Sequence, residues 1–217
     1  MTRPLLQVAL DHLDLEKAME SARLIAPHVD VLEAGTILCF AEGVRAVKTL
    51  RETFPQHIIV SDLKGADAGA VLAEMVFSRG ATWMTVICSA PYATMEAALQ
   101  VARKYHGDVQ VELYGDWTFD HAREWQKIGL QQAIYHRGRD AQAAGKGWDA
   151  EDIEKIKRLA DMGFGVSVTG GLGPGDLAQF QGIPVKCFIS GRSLYTAPDP
   201  AAAAQEFQQA IARYWKA

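Results

Sequence analysis

Cysteine is scarce in this sequence and scattered. Cys39, Cys88 and Cys187 are odd in number, far apart, and each set in an apolar run. That excludes a disulfide framework and predicts reduced, packed thiols in a cytoplasmic protein. Cys-x-x-Cys is missing, and the six His show no zinc-ligand spacing. The formal net charge of -4 comes with no long run of Lys or Arg, which argues against a nucleic-acid groove or a membrane-surface helix. No segment is long and apolar enough to span a bilayer. The opening stretch to Asp11 is too short for a signal peptide and lacks a small-residue cleavage site, so it reads as a first strand. Linkers rich in Pro, Gly or Ser are absent, as is low-complexity sequence, so residues 1–217 read as one catalytic domain.

What is present is one pattern, repeated. Short apolar, β-branched runs alternate with longer amphipathic stretches. Strands are predicted at about Leu5–Asp11, Val29–Gly35, His57–Lys64, Trp83–Ala90, Asp108–Gly115, Gln132–Arg137, Gly165–Gly171 and Lys186–Arg192. Helical patterns cover Ala41–Thr53, Ala68–Arg79, Ala93–Tyr105 and Ala150–Met162, and Asp199-Pro200 marks the start of a last helix. About eight strand–helix units in 217 residues predict a compact single (β/α)8 barrel of parallel strands. A doubly wound open sheet is the structural alternative. The strands read as nearly continuous apolar runs, as expected when both faces are covered.

In such a barrel the chemistry sits at the carboxyl ends of the strands. The first strand ends at Asp11 and the second presents Glu33. The third carries Asp62 and Lys64, with Asp67 on the adjoining loop. Alternate strand residues share a face, so Asp62 and Lys64 point the same way, with Asp67 in reach of both. The fifth strand carries Glu112, and the sixth ends at His136 with Arg139 close behind. The seventh ends in Thr169-Gly170-Gly171 and the eighth in Gly191-Arg192, while the fourth, ending near Ser89, offers little.

Taken singly, Glu33 and Asp62 are as readily ion-pair partners as ligands, Lys64 a counter-ion, and His136 a satisfied core histidine. Together they fit a site for a metal and a growing negative charge. Two carboxylates from neighbouring strands suit Mg²⁺. Lys64, flanked by acids, should stay protonated and act electrostatically. His136 with Arg139 makes a proton-handling pair. The glycines after the seventh and eighth strands let backbone N–H groups approach a phosphate, and Arg192 can fork onto its oxygens.

A resemblance follows from these residues. Gln7-Val8-Ala9-Leu10-Asp11, Glu33-Ala34-Gly35-Thr36, the Asp-x-Lys-x-x-Asp motif of Asp62–Asp67, His136-Arg137-Gly138-Arg139-Asp140, Thr169-Gly170-Gly171 and Gly191-Arg192 span the chain. Through them it resembles, essentially end to end, the 3-keto-L-gulonate 6-phosphate decarboxylases of the orotidine 5'-monophosphate decarboxylase suprafamily. The motif marks the suprafamily, not the reaction. The rival family, the 3-hexulose-6-phosphate synthases, is similar at Asp11, Glu33, the motif and His136. Those aldolases usually lack Arg139 and Arg192 and tend to carry Asp in place of Glu112. Leu63 and Gly65 depart from the residues usual in the motif; Gly65 is expected to loosen the loop that carries Asp67.

The resemblance implies Mg²⁺-dependent conversion of 3-keto-L-gulonate 6-phosphate to L-xylulose 5-phosphate and CO2, as in L-ascorbate breakdown. It implies Glu33 and Asp62 as metal ligands and Lys64 as hydrogen-bond donor to the enediolate. Asp11 and Asp67 would orient hydroxyls and Lys64, with Asp67 entering the neighbouring subunit's site in a homodimer. His136 and Arg139 would deliver a proton and Glu112 would position the substrate or a water. Thr169, Gly170, Gly171, Gly191 and Arg192 would hold the phosphate. A sugar-phosphate aldolase is the alternative activity. A non-catalytic sugar-phosphate binding protein is the third reading, and it would not need the acid–amine–acid set.

Overall fold

A computed structural model describes residues 2–216. Eight strands pair in parallel in sequence order, and the first closes onto the eighth to form a barrel. They are β1 Leu5–Leu10, β2 Val31–Ala34, β3 Ile58–Gly65, β4 Trp83–Ile87, β5 Asp108–Leu113, β6 Gln132–His136, β7 Gly165–Thr169 and β8 Cys187–Ser190. The α-helices are α1 Leu15–Ile25, α2 Thr36–Glu42, α3 Arg45–Thr53, α4 Gly69–Phe77, α5 Tyr92–Lys104, α6 Phe119–Ile128, α7 Arg139–Ala143, α8 Ala150–Asp161, α9 Arg192–Tyr195 and α10 Pro200–Tyr214. Short 3-10 turns occupy Ala26–His28 and Pro174–Phe180.

Side-chain caps start four of the longer helices. Asp14 accepts from the Lys17 N–H, and Asp199 accepts from the Ala202 N–H ahead of Pro200. Thr118 and Asp149 each form a reciprocal box with the residue three positions on. Each satisfies amide groups that helix geometry leaves without partners.

Alternation along the strands divides the core in two. On β1, Leu6, Val8 and Leu10 join the large cluster between barrel and helices. Ala9 packs against a smaller cluster of Val31, Val60, Trp83, Ile134, Cys187 and Ile189. Nearly continuous apolar strands were expected, but Gln7, Thr85, Gln110, Gln132 and Ser167 are buried in them. Most are satisfied locally: Gln7 donates to Glu33 and Gln110 donates to Gln132. The barrel interior therefore mixes these polar side chains with the smaller apolar cluster.

Several expected boundaries move for identifiable reasons. The single helix expected over Ala41–Thr53 is two, because Gly43 adopts φ +61. Nothing lies near the place of its Cβ, so conformation rather than space calls for glycine there. β4 stops at Ile87, where the Ala90 N–H turns back onto the Ile87 carbonyl ahead of Pro91. β7 stops at Thr169 because Gly170 (φ +121) leaves the extended region. β8 stops at Ser190, and Arg192 opens a short helix instead of ending the strand.

The helices that follow β3 and β4 pack closely enough to be tested. A Cβ on Gly69 would lie 2.0 Å from the Thr94 carbonyl oxygen of α5, a backbone atom with little freedom to retreat. Gly69→Ala should therefore destabilise the fold by about 1–3 kcal/mol. Urea unfolding would show it as a lower midpoint at unchanged slope; an unchanged midpoint would show that α4 and α5 separate freely.

Candidate active site

The third strand breaks its own regularity to build the centre of the site. Its pairing with β4 shifts between Ser61 and Gly65, and Lys64 takes φ +48. A non-glycine residue in that region carries strain of about 1–2 kcal/mol, which its surroundings must offset. They do so electrostatically. The Lys64 ammonium lies 2.6 Å from Asp62 Oδ2 and 2.8 Å from Glu112 Oε2. The first contact is aligned as a hydrogen bond; the second is an ion pair off that line. Burial works against the charge on Lys64, but the Asp62 and Glu112 carboxylates outweigh it and raise the pKa, so the ammonium stays protonated. Asp62 is buried too, yet Lys64 and the Thr36 and Thr85 hydroxyls hold it below the usual carboxylate range. Strand alternation thus named the right neighbours, but a kink makes the contact.

Glu33 sits one strand away, its Oε2 accepting from the Gln7 amide at 2.7 Å. Burial first, and then the Asp62 charge, push its carboxyl well above the ordinary range. Asp11 is also raised, by burial and by Asp62. A Cβ on Gly35 would fall 2.3 Å from Asp11 Oδ1, so glycine is what lets that carboxylate sit against the end of β2. Among the described residues no group of three or more His, Cys, Asp or Glu is disposed to hold a metal. Mg²⁺ is commonly held by only one or two carboxylates plus water and substrate oxygens. The mutual repulsion of Glu33 and Asp62 is what a divalent cation would relieve, so the donor pair fits such an ion.

On the far side of the ammonium, Glu112 Oε1 lies 2.6 Å from His136 Nδ1. With Glu112 ionised beside Lys64, its carboxylate only accepts, so Nδ1–H is the donor in that contact. Tyr114 stands beside the ring, its hydroxyl 2.7 Å from Nδ1 and 3.2 Å from Nε2. Arg139 was expected to work with His136, but its ion pair, at 3.7 Å, is with Asp11. It still reaches the same space, because both line a cavity of about 630 Å³ at the mouth of the barrel.

The side of that cavity where phosphate binding is expected from the sequence is lined by Thr169, Gly170, Gly171, Gly191 and Arg192. A residue outside the expected set organises it. The Arg137 guanidinium donates twice to the Gly170 carbonyl, at 3.0 and 2.7 Å, while lying 4.9 Å from the centre of the Trp148 ring. Its own carbonyl accepts from Gln142, and a Cβ on Gly170 would strike that carbonyl at 2.3 Å. The β6 and β7 loops are thereby fastened to each other. Of the residues expected at the site, Asp11, Glu33, Asp62, Lys64, Glu112, His136, Arg139 and the five phosphate-side residues line the one cavity. Asp67 does not: it is exposed, and the ion pairs of Lys64 go to Asp62 and Glu112 instead.

Fold and site together define a class: a parallel (β/α)8 barrel that holds a charged amine among carboxylates at its carboxyl-terminal mouth, beside glycine-rich loops. The sequence matches the family described as Orotidine 5'-phosphate decarboxylase / HUMPS family over residues 4–207. The chain belongs to that family. It is 52% identical over 215 residues to the 3-keto-L-gulonate-6-phosphate decarboxylase of Salmonella newport, covering 99% of this chain and 100% of the relative. It superimposes with a TM-score of 0.97, at 48% identity, on a crystal structure of KGPDC from Streptococcus mutans, covering 99% of this chain and 100% of that one. A 3-hexulose-6-phosphate synthase is more distant, at 33% identity and a TM-score of 0.88 over 95% of this chain and 99% of that one.

Tyr114, Thr36, Thr85, Gln7, Gln142 and Arg137 are among the polar groups at the site that the sequence reading gave no role. None carries a motif signal by itself. Arg137 is the easiest to isolate experimentally. Arg137→Met keeps a long side chain but loses both bonds to Gly170, and should lower stability by about 1–3 kcal/mol. Amide hydrogen exchange should quicken at Gly170 and Gly171 while β7 itself stays protected. Unchanged exchange at those two glycines would mean the loop holds its shape without Arg137.

Proposed function

We propose that the chain, acting as one catalytic domain over residues 1–217, is a Mg²⁺-dependent decarboxylase. It converts 3-keto-L-gulonate 6-phosphate to L-xylulose 5-phosphate and CO2 in L-ascorbate breakdown. The observation that carries this reading is the Lys64 ammonium, held protonated between Asp62 and Glu112 and facing a cavity of a size suited to a sugar phosphate. The full-length likeness to a relative named for that reaction supports the choice of substrate.

The chemistry sets the demand. When the bond to the carboxylate breaks and CO2 departs, the electron pair stays on the neighbouring carbon and spreads onto the adjacent ketone oxygen as an enediolate. Lys64 donates a charged hydrogen bond to that oxygen as the charge develops. Glu33 and Asp62 hold Mg²⁺, which supplies Lewis-acid stabilisation of the same charge. Glu112 keeps the His136 ring in one tautomer and lies beside the substrate. His136 and Arg139 deliver, through water, the proton that quenches the carbanion. Thr169, Gly170, Gly171, Gly191 and Arg192 bind the phosphate, and Asp11 orients a substrate hydroxyl. Asp67 serves the neighbouring subunit's site in a homodimer, a role supported by its exposure on the loop after β3. Three buried, unbridged thiols support a cytoplasmic setting.

The deciding assay offers Mg²⁺ with 3-keto-L-gulonate 6-phosphate and, separately, formaldehyde with ribulose 5-phosphate. CO2 release from the first is expected. Condensation in the second without CO2 release in the first would make the chain an aldolase, and binding without turnover would make it a carrier. Lys64→Ala should cut kcat by about 100-fold or more while the fold persists; near-normal turnover would remove Lys64 from the stabilising role.

The shared site has its own test. Mixed Lys64→Ala and Asp67→Ala chains should regain part of the activity each lacks alone, because some heterodimers then hold one intact site. A monomer in sedimentation, or no regain on mixing, would return Asp67 to a surface role.

A further inference from the structure

Thr85 lies on β4, the strand that brings no charge to the rim, and is fully buried. A threonine hydroxyl has one proton to donate and lone pairs with which to accept. Here the proton goes to Asp62 Oδ1 at 2.7 Å, and the oxygen accepts the Lys64 backbone N–H at 2.8 Å. One hydroxyl is therefore bonded both to the carboxylate and to the backbone of the residue whose ammonium pairs with that carboxylate.

That second bond is needed because of the kink. Where β3 loses register against β4 the regular ladder lapses, and a partly buried N–H there must find another acceptor. Lys64 is also the residue at φ +48, a conformation that persists only when its surroundings hold it. The Thr36 hydroxyl bonds Asp62 as well, at Oδ2 and 2.5 Å, but the Lys64 backbone N–H goes to Thr85. Among the described residues, Thr85 is the side chain that joins the two.

We propose that Thr85 is a positioning residue for decarboxylation: its hydroxyl holds the Lys64 backbone in the left-handed turn and so fixes the ammonium against Asp62. The inference rests on the reading of Lys64 as donor to the enediolate. It assigns β4 a part in the chemistry that its lack of charged residues conceals. It also explains why the hydroxyl must be both donor and acceptor, which neither valine nor alanine can supply.

Thr85→Val keeps the shape and loses the hydroxyl, Thr85→Ser keeps the hydroxyl and loses the methyl, and Thr36→Val removes only the other bond to Asp62. In the full chain without substrate, the Lys64 amide should exchange faster in Thr85→Val and stay protected in Thr85→Ser and Thr36→Val. With Mg²⁺ and 3-keto-L-gulonate 6-phosphate, Thr85→Val should lose about 10- to 100-fold in kcat with little change in KM, the size of effect that misplacing a reacting group produces. Thr85→Ser should recover most of it. If Thr85→Val does not fold, Thr85→Cys, a weaker donor and acceptor, should turn over more slowly than Thr85→Ser and exchange its Lys64 amide faster. The proposal is overturned if Thr85→Val keeps wild-type kcat, if Thr85→Ser is as impaired as Thr85→Val, or if the Lys64 amide is indifferent to the hydroxyl. Should wild type release no CO2, the decarboxylase reading fails, and the Lys64 exchange still decides whether Thr85 holds the turn.

Discussion

The Lys64 ammonium between Asp62 and Glu112 is the contact on which the rest of the site depends. It reconciles three strands. Asp62 and Lys64 come from β3 and Glu112 from β5, and β4 lies between them. Without the cation, two buried carboxylates would face each other in a medium that resists charge. Without the carboxylates, the kink at Lys64 would lose its electrostatic compensation. Charge and backbone strain are thus balanced at a single residue. Its neighbours extend the arrangement, with Glu112 holding His136 on one side and Asp62 raising the carboxyls of Glu33 and Asp11 on the other.

Much of this was legible before any coordinates. The alternation of apolar runs and amphipathic stretches located all eight strands, because parallel strands covered on both faces have few other patterns open to them. Ionisable residues at strand ends located the cavity, because that rim is where a barrel admits a substrate. Asp199-Pro200 marked a helix start because the signal there is local. What was not legible depends on which partner a side chain chooses. Arg139 forms an ion pair with Asp11 while sharing the cavity with His136, a choice made across the barrel and invisible along the chain. Tyr114, Thr85 and Arg137 are ordinary residue types whose roles come from where the strands are staggered. The break at Gly43 was missed because the amphipathic pattern continues through it, while only the backbone turns.

Asp67 shows the same limit in another form. Its place in the Asp-x-Lys-x-x-Asp motif suggested reach to Lys64, yet Ala68 at φ +52 opens the following helix and the carboxylate stays at the surface. Three residues of separation carry a side chain out of the cavity once the backbone turns at Lys64. A motif records which residues occur together, and geometry then decides whether they act together in one subunit.

The residues of the cavity are drawn from nearly the whole chain, from Asp11 at the end of β1 to Arg192 after β8, and the ladder between those two strands is the one that closes the barrel. Such a site has no local precursor. Contacts of that sequence separation form late and slowly, because the intervening chain must be ordered first. The first half of the chain carries Asp11, Glu33, Asp62 and Lys64 and the second carries Glu112, His136, Arg139 and the glycine-rich loops, so neither half holds the full set. Recovery of turnover during refolding therefore requires the ring to have closed, and activity reports on the completed barrel rather than on any part of it.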